Sequence, residues 1–233
     1  MGHRNHLGQP VGAPLPDWSP RRLPPRTPMA GRFCAVEPLD PERHAAQLFA
    51  AYAEDVEGRM WTYLPRGPYA SLDEYRGWAE GACRADDPLI HAIVDKASGE
   101  AVGTAALMRI EPDVGVIEVG SITYSPRLQR RPAGTEAMYL MMRRVFDELG
   151  YRRYEWKCNS LNLPSRAAAE RYGFQYEGLF RQAQITRGRN RDTAWFSIID
   201  SEWPALRTAF ERWLDPANFA AGGTQRHSLA SLR

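Results

Sequence analysis

A turn that gathers arginines and small residues ahead of a helix is the strongest chemical signal in this sequence. Arg127-Leu-Gln-Arg-Arg-Pro-Ala-Gly134 follows the apolar run Ile117-Glu-Val-Gly-Ser-Ile-Thr-Tyr124 and opens a helix at Thr135. Such a turn presents backbone N–H groups and the positive end of a helix dipole, a common physical means of holding a phosphate. Arg130 and Arg131 add charge there. Alone the turn carries little weight, because many strand-to-helix connections hold Gly and Arg. A second constellation lies further on, as Asn159-Ser-Leu-Asn-Leu-Pro-Ser165, a short helix, and Gly173-Phe174. A third is a run of arginines, 181, 187, 189 and 191, in a hairpin near the end of the chain. These could meet an acidic acceptor or nucleic acid, but charged hairpin tips are ordinarily solvated, and that is the reading adopted. His3, His6, His44, His91 and His227 show no ligand spacing, and Cys34, Cys83 and Cys158 are odd in number, so neither a metal site nor a disulfide framework is expected.

The elements that would position these residues can be read from periodicity. Phe33 to Glu37 reads as a strand and Pro41 to Asp55 as a helix; Ser71 to Asp86 opens with a Ser-Leu-Asp-Glu capping box and reads as a second helix. Leu89 to Asp95, Ala101 to Ile110 and Gly115 to Tyr124 form an antiparallel meander, and alternation puts Glu118, Gly120, Ile122 and Tyr124 on one face. Thr135 to Leu149 is a helix stopped by Gly150, Tyr154 to Cys158 a strand, and Pro164 to Tyr172 a short helix ended by Gly173. Gln175 to Ile185 and Thr193 to Ile199 make a last hairpin, and Ser201 to Leu214 a closing helix.

Flanking segments have a different composition. Residues 1–30 hold seven prolines and read as an extended, flexible arm anchored at most by Trp18; residues 216–233 read as a loose tail. The folded body is expected over 31–215. With 43% hydrophobic and 25% charged residues in 233, it can bury one sizeable core. No apolar run is long enough to span a bilayer and no signal peptide is visible, so the cytoplasm is the default location. A net charge of +2 is too small to imply nucleic acid or a membrane surface by itself, and neither is the expected partner.

Order and content together then become specific. Gln129, Pro132 and Gly134 stand at the signature positions of the phosphate turn of GNAT acetyltransferases, and Asn162, Ser165 and Gly173-Phe174 match the second motif of the branch containing the ribosomal-protein N-terminal (RimJ/RimL-like) enzymes. The sequence resembles that family from about residue 32 to 213. The resemblance implies an α+β fold whose central sheet is mixed, mostly antiparallel and splayed like a V, with acetyl-CoA as co-substrate in the gap. It implies that the backbone near Ile122 and Tyr124 pairs with the pantetheine arm, that Gln129, Arg130, Arg131, Gly134 and Thr135 hold the pyrophosphate, and that Asn162 and Ser165 face the thioester. Trp61, Tyr63 and Tyr69 lie where this branch builds its acceptor wall.

Two departures bear on activity. Pro132 replaces the family's first glycine and removes a backbone donor, and Ala169 stands where many members carry a tyrosine that protonates the departing thiolate. Ser165 is then the candidate acid, and Glu118 the candidate base for the attacking amine. The expected function is direct acetyl transfer from acetyl-CoA to a primary amine, a protein N-terminus or a small molecule. A non-catalytic acyl-CoA-binding module is the alternative, an RNA-associated basic module a third reading, and homodimerisation is left open.

Overall fold

The computed structural model describes residues 2–233. A small hairpin of β1 (His3–Arg4) and β2 (Pro10–Val11) stands apart from an eight-stranded sheet. That sheet comprises β3 (Met29–Ala30), β4 (Cys34–Pro38), β5 (Leu89–Asp95), β6 (Ala101–Glu111), β7 (Val116–Tyr124), β8 (Arg153–Asn159), β9 (Gln175–Thr186) and β10 (Arg189–Ile199), in the spatial order β3-β4-β5-β6-β7-β8-β10-β9. Every pairing is antiparallel except β7 with β8, so the sheet is mixed and mostly antiparallel, and the class is α+β.

Two layers of helix sandwich the sheet. On one face α1 (Pro41–Ala53) and α2 (Leu72–Ala82) bury Leu48, Tyr52, Tyr75 and Ala79 against Ile90, Ala92 and Ala106. On the other, α3 (Pro132–Arg143), α4 (Leu163–Tyr172) and α5 (Trp203–Leu214) cover a larger core built on Val36, Leu107, Ile117, Val119, Tyr154 and Phe196. The caps are local chemistry. Asp40 accepts from the amides of Glu42 and Arg43, and Ser71 from that of Glu74, while the Glu74 carboxylate reaches one residue further back than a capping box does, to the amide of Ala70.

Helix α3 begins at Pro132, three residues before the expected Thr135. Proline suits that first position, where its fixed φ is already helical and an N–H would have no partner within the helix. Its C-terminal end widens into a π-helical turn over Arg144–Glu148. On the same helix Glu136 is buried, and its carboxylate accepts from three consecutive amides, Arg32 (2.7 Å), Phe33 (2.6 Å) and Cys34 (2.8 Å), pinning the start of β4 to α3. Burial, then the neighbouring Glu136 charge, pushes the Cys34 thiol far up, so it stays protonated.

Part of each flank packs on the body, unlike the loose chain that its composition suggests. Proline removes amide donors but leaves carbonyls, and in residues 20–28 carbonyls are met by side-chain donors. Arg144 donates to the carbonyls of Pro25, Thr27 and Pro28, each at 3.4 Å, and Tyr151 to that of Arg22 at 3.2 Å. Trp18 donates its indole N–H to the carbonyl of Asp113 at 2.8 Å. At the other end Asn218 is buried, donating to the carbonyls of Trp213 and His227 and accepting from the amide of His227. Phe219 packs on Phe33 at 5.2 Å between ring centres, and Leu229 enters the core.

Candidate active site

The sheet opens between β7 and β8. Their parallel pairing runs only from Val116 with Arg153 to Val119 with Trp156, after which Gly120–Tyr124 has no strand partner on that side. A bulge in β7 accompanies the opening: Thr104 faces Thr123 but Ala106 faces Gly120, and Ser121 takes a φ of 48° to absorb the extra residue. This overturns the simple alternation expected for the strand. Glu118 and Gly120 lie on the α1/α2 face and are followed there by Ser121 and Thr123, while Ile122 and Tyr124 pack against the α3 core.

At the base of the V, Glu118 is 3% exposed. Its Oε2 takes both the Arg109 guanidinium, at 2.6 Å, and the Lys157 ammonium, at 2.9 Å. A second irregularity, with Arg109 at a φ of 47°, lies on β6 where that guanidinium reaches Glu118 on β7. Lys157 bridges on to Glu155 at 2.7 Å, lies 3.7 Å from the centre of the Trp195 ring, and leaves only 8% of its side chain exposed. A compact ammonium with three donors can satisfy both carboxylates while it faces the indole. Glu155 is bound in turn by Arg153 at 2.7 Å. Arg191 on β10 completes the charged surroundings; burial lowers its pKa, and it interacts with Cys158 and Glu118.

Across the gap, Asn162 caps α4 by accepting from the Ser165 amide at 3.1 Å. The Ser165 hydroxyl oxygen accepts the Trp156 indole N–H at 3.0 Å, and the hydroxyl also lies within hydrogen-bonding reach of the Cys158 thiol. Ala169 is fully buried in the core, so α4 presents no phenol at that position.

Beyond the V a groove of about 320 Å³ is lined by Tyr124, Arg130, Arg131, Gly134, Thr135 and Arg171, with Trp213 and Gln225 on its far wall. Tyr124 donates its phenol proton to the carbonyl of Gly134 at 2.9 Å, and a Cβ on Gly134 would sit 2.9 Å from the Tyr124 ring, so only glycine lets strand and helix approach this closely. Gln129 instead turns back to the carbonyl of Tyr124 at 2.8 Å and does not line the groove.

On the α1/α2 side a narrow cavity of about 30 Å³ lies against the β7 bulge, walled by Tyr52, Trp61, Tyr69, Tyr75 and Trp78 and floored by Thr104, Ser121 and Thr123. Of the three residues expected to form an acceptor wall, Trp61 and Tyr69 line this cavity and Tyr63, partly exposed, does not. Arg187, expected to be a solvated tip, donates to the carbonyl of Gly67 in the loop beside this cavity.

Sequence reasoning missed Lys157, Arg109, Arg171, Gln225 and the α1/α2 tyrosines. Only Lys157 left a trace, since Tyr154-Glu-Trp-Lys-Cys158 alternates apolar and charged side chains on a strand. Among the described residues no cluster of His, Cys, Asp or Glu could hold a metal ion, and no helix is long and apolar enough to cross a membrane.

A sheet splayed at one parallel pairing, with an arginine-bearing helix start beside it, defines an acyltransferase scaffold. The family profile described as an acetyltransferase (GNAT) domain matches residues 35–175, and the chain belongs to that family. A GCN5-related N-acetyltransferase from Brucella melitensis is 50% identical over 94% of this chain and 99% of its own, with a TM-score of 0.92. A GNAT-family structure from Chromobacterium violaceum is 38% identical over 84% of this chain and 98% of its own, with a TM-score of 0.78. A curated relative from Bacillus licheniformis, named as an uncharacterized N-acetyltransferase p20, is 28% identical over 48% of this chain, and the chain spans 62% of that relative's length.

Proposed function

We propose that the protein transfers the acetyl group of acetyl-CoA to a primary amine by direct attack in a ternary complex, as the RimJ/RimL-like branch does. The observation that carries this reading is the unpaired β7 edge, which runs from an arginine-lined groove at one end to an aromatic cavity at the other. A bare strand edge suits the amides of pantetheine, and the α3 start with Arg130 and Arg131 suits the phosphates. Acetyl-CoA, when bound, supplies an activated thioester. The remaining work falls to side chains of this chain. The acceptor amine enters from the aromatic side, with Trp61 and Tyr69 as walls. Glu118 receives its proton through Oε1, the oxygen left outside the Arg109 and Lys157 pairs, directly or through water. Ser165 donates its hydroxyl proton as a hydrogen bond toward the departing sulfur.

The test is an acceptor screen of peptides and small amines with acetyl-CoA, read by thiol release. Amine-dependent release supports the reading. A rise in melting temperature with acetyl-CoA but no release for any acceptor favours the non-catalytic module, for which the buried Ala169 speaks. No shift at millimolar acetyl-CoA overturns both.

A further inference from the structure

We propose that the acceptor is a small zwitterion, a primary amine with an oxyanion, carboxylate or phosphate, close to its nitrogen, and that Arg191 and Arg109 bind that oxyanion. The proposal rests on the acetyl-transfer reading and names the substrate class of its acceptor side. Glu118 fixes where the amine must lie. Its Oε2 is taken by Arg109 and Lys157, and its Oε1 lies beside Gly120, where a Cβ would come within 3.3 Å of it. Gly120 is the first residue of β7 beyond its pairing with β8, so Oε1 lies at the mouth of the V. An amine hydrogen-bonded there, at about 3 Å, stands within roughly 8 Å of the Arg109 guanidinium. A short link between amine and anion spans that gap.

Both arginines have donors to spare. Arg109 gives one guanidinium nitrogen to Glu118 and leaves 42% of its side chain exposed. Its backbone, at a φ of 47°, is pinned by the Asp87 carboxylate, which accepts from the amides of Arg109 and Ile110 at 2.9 and 3.0 Å. A residue held at such a φ by its surroundings is a feature of ligand-binding and catalytic sites. Arg191 stands on the other side of the mouth. Thr193 and Trp195 lie opposite Asn159 and Lys157 of β8, and strand alternation puts Arg191 on their face, which is that of Lys157 and Glu118. Its Nε is buried without a hydrogen-bond partner, and among the described residues its guanidinium enters no ion pair. A buried donor left unpaired is costly, and an oxyanion on the substrate supplies the missing acceptor. Arg66, on the wall of the aromatic cavity, has no carboxylate partner either. The acceptor side thus sets Arg66, Arg109, Lys157 and Arg191 against Glu118 and Glu155, and Glu155 is shared with Arg153. This surplus opposes a bare ammonium and favours an acceptor that brings its own negative charge. The phosphates of acetyl-CoA do not offset it, since they belong with the groove at the far end of the β7 edge.

Acceptor kinetics at saturating acetyl-CoA, read by thiol release, test this with matched sets: each free amino acid, its amide, the amine lacking the carboxyl group and the corresponding aminophosphonate, beside peptides with a free N-terminus. For the best acceptor the wild type should show a kcat/KM about tenfold or more higher for the anionic form than for its amide or its decarboxylated amine. Reaction of amino acids alone identifies a carboxylate, and of aminophosphonates alone a phosphorus oxyanion; either supports the proposal. Arg191→Met should raise the KM of that acceptor about tenfold, leave the KM of acetyl-CoA within about twofold, and bring the preference over the amide below about threefold. Arg191→Lys, which keeps the charge, should retain part of the preference. Should either variant fail to fold, the preference of the wild type still decides. Equal or better turnover of amides, simple amines or peptide N-termini, or an undiminished preference in Arg191→Met, would overturn the proposal while leaving acetyl transfer intact. Absence of thiol release with every amine would overturn both.

Discussion

Glu118 is the residue on which the chemistry turns, and its surroundings make the test sharp. Glu118→Gln keeps the shape and both cationic neighbours but removes the proton acceptor. Turnover should fall by roughly a hundredfold or more, with acetyl-CoA affinity nearly unchanged. Wild-type rates in this variant would make the carboxylate only the hub of an ion-pair chain, and positioning next to the thioester would then carry catalysis. Ser165→Ala should cost less, because a thiolate leaves without full protonation; the same variant also strips the Trp156 indole of its acceptor, so a melting curve must accompany the rate. Glu136 offers a stability prediction at the same scale. Three amides depend on its charge, and Glu136→Gln, which offers one oxygen where two serve, should destabilise the fold by about 2 to 4 kcal/mol in denaturant titration.

Among the elements, β7 shows where reading the sequence stops. The strand itself, the two strands before it, β5 and β6, and α4 with its glycine stop were legible, because alternation and caps are properties of side chains in order. The bulge at Ser121 was not, since nothing in Ile117-Glu-Val-Gly-Ser-Ile-Thr-Tyr124 marks which residue will take a positive φ; yet that one residue decides which side chains face the aromatic cavity. Pro132 was legible as a departure but not as a benefit, because its meaning depends on the helix starting there. Strand β5 yields a pH prediction. His91 is fully buried, and burial, followed by the positive charges of Arg144 and Arg26, lowers its pKa to about 4. The unfolded chain therefore binds the proton first as pH falls below about 6.5, and the folded form follows only near 4. Stability is full above about 6.5 and should drop by on the order of 3 kcal/mol between there and about 4. His44, also lowered chiefly by burial, adds in the same direction. Equilibrium unfolding across that range should show the loss, and His91→Leu should flatten part of it; an unchanged slope would clear His91 of the effect.

At the level of the whole molecule, residues 18–28 and the segment from 216 on pack against the body, although composition marks both flanks as loose. Low hydrophobicity and many prolines are reliable signs of poor self-association, but they say nothing about partners placed elsewhere in the chain. Here those partners are Arg144 and Tyr151 for the first flank, and Phe33 and the end of α5 for the second. We expect deletion of residues 216–233 to lower the melting temperature by several degrees, since it withdraws Leu229 from the core and removes the Phe219 ring from Trp213 and Phe33. A truncated protein melting with the full chain would return this segment to the status of a tail.

The Lys157 clasp has a bearing on how such a protein survives its own reagent. Lys96 and Lys157 are the only lysines in the chain. Lys157 lies closed between two carboxylates and an indole, which leaves the exposed Lys96 as the one side-chain amine that free thioester can reach. Prolonged incubation with acetyl-CoA, followed by peptide mass mapping, should find acylation at Lys96 and none at Lys157. A donor site surrounded by arginines has almost nothing of its own to spoil.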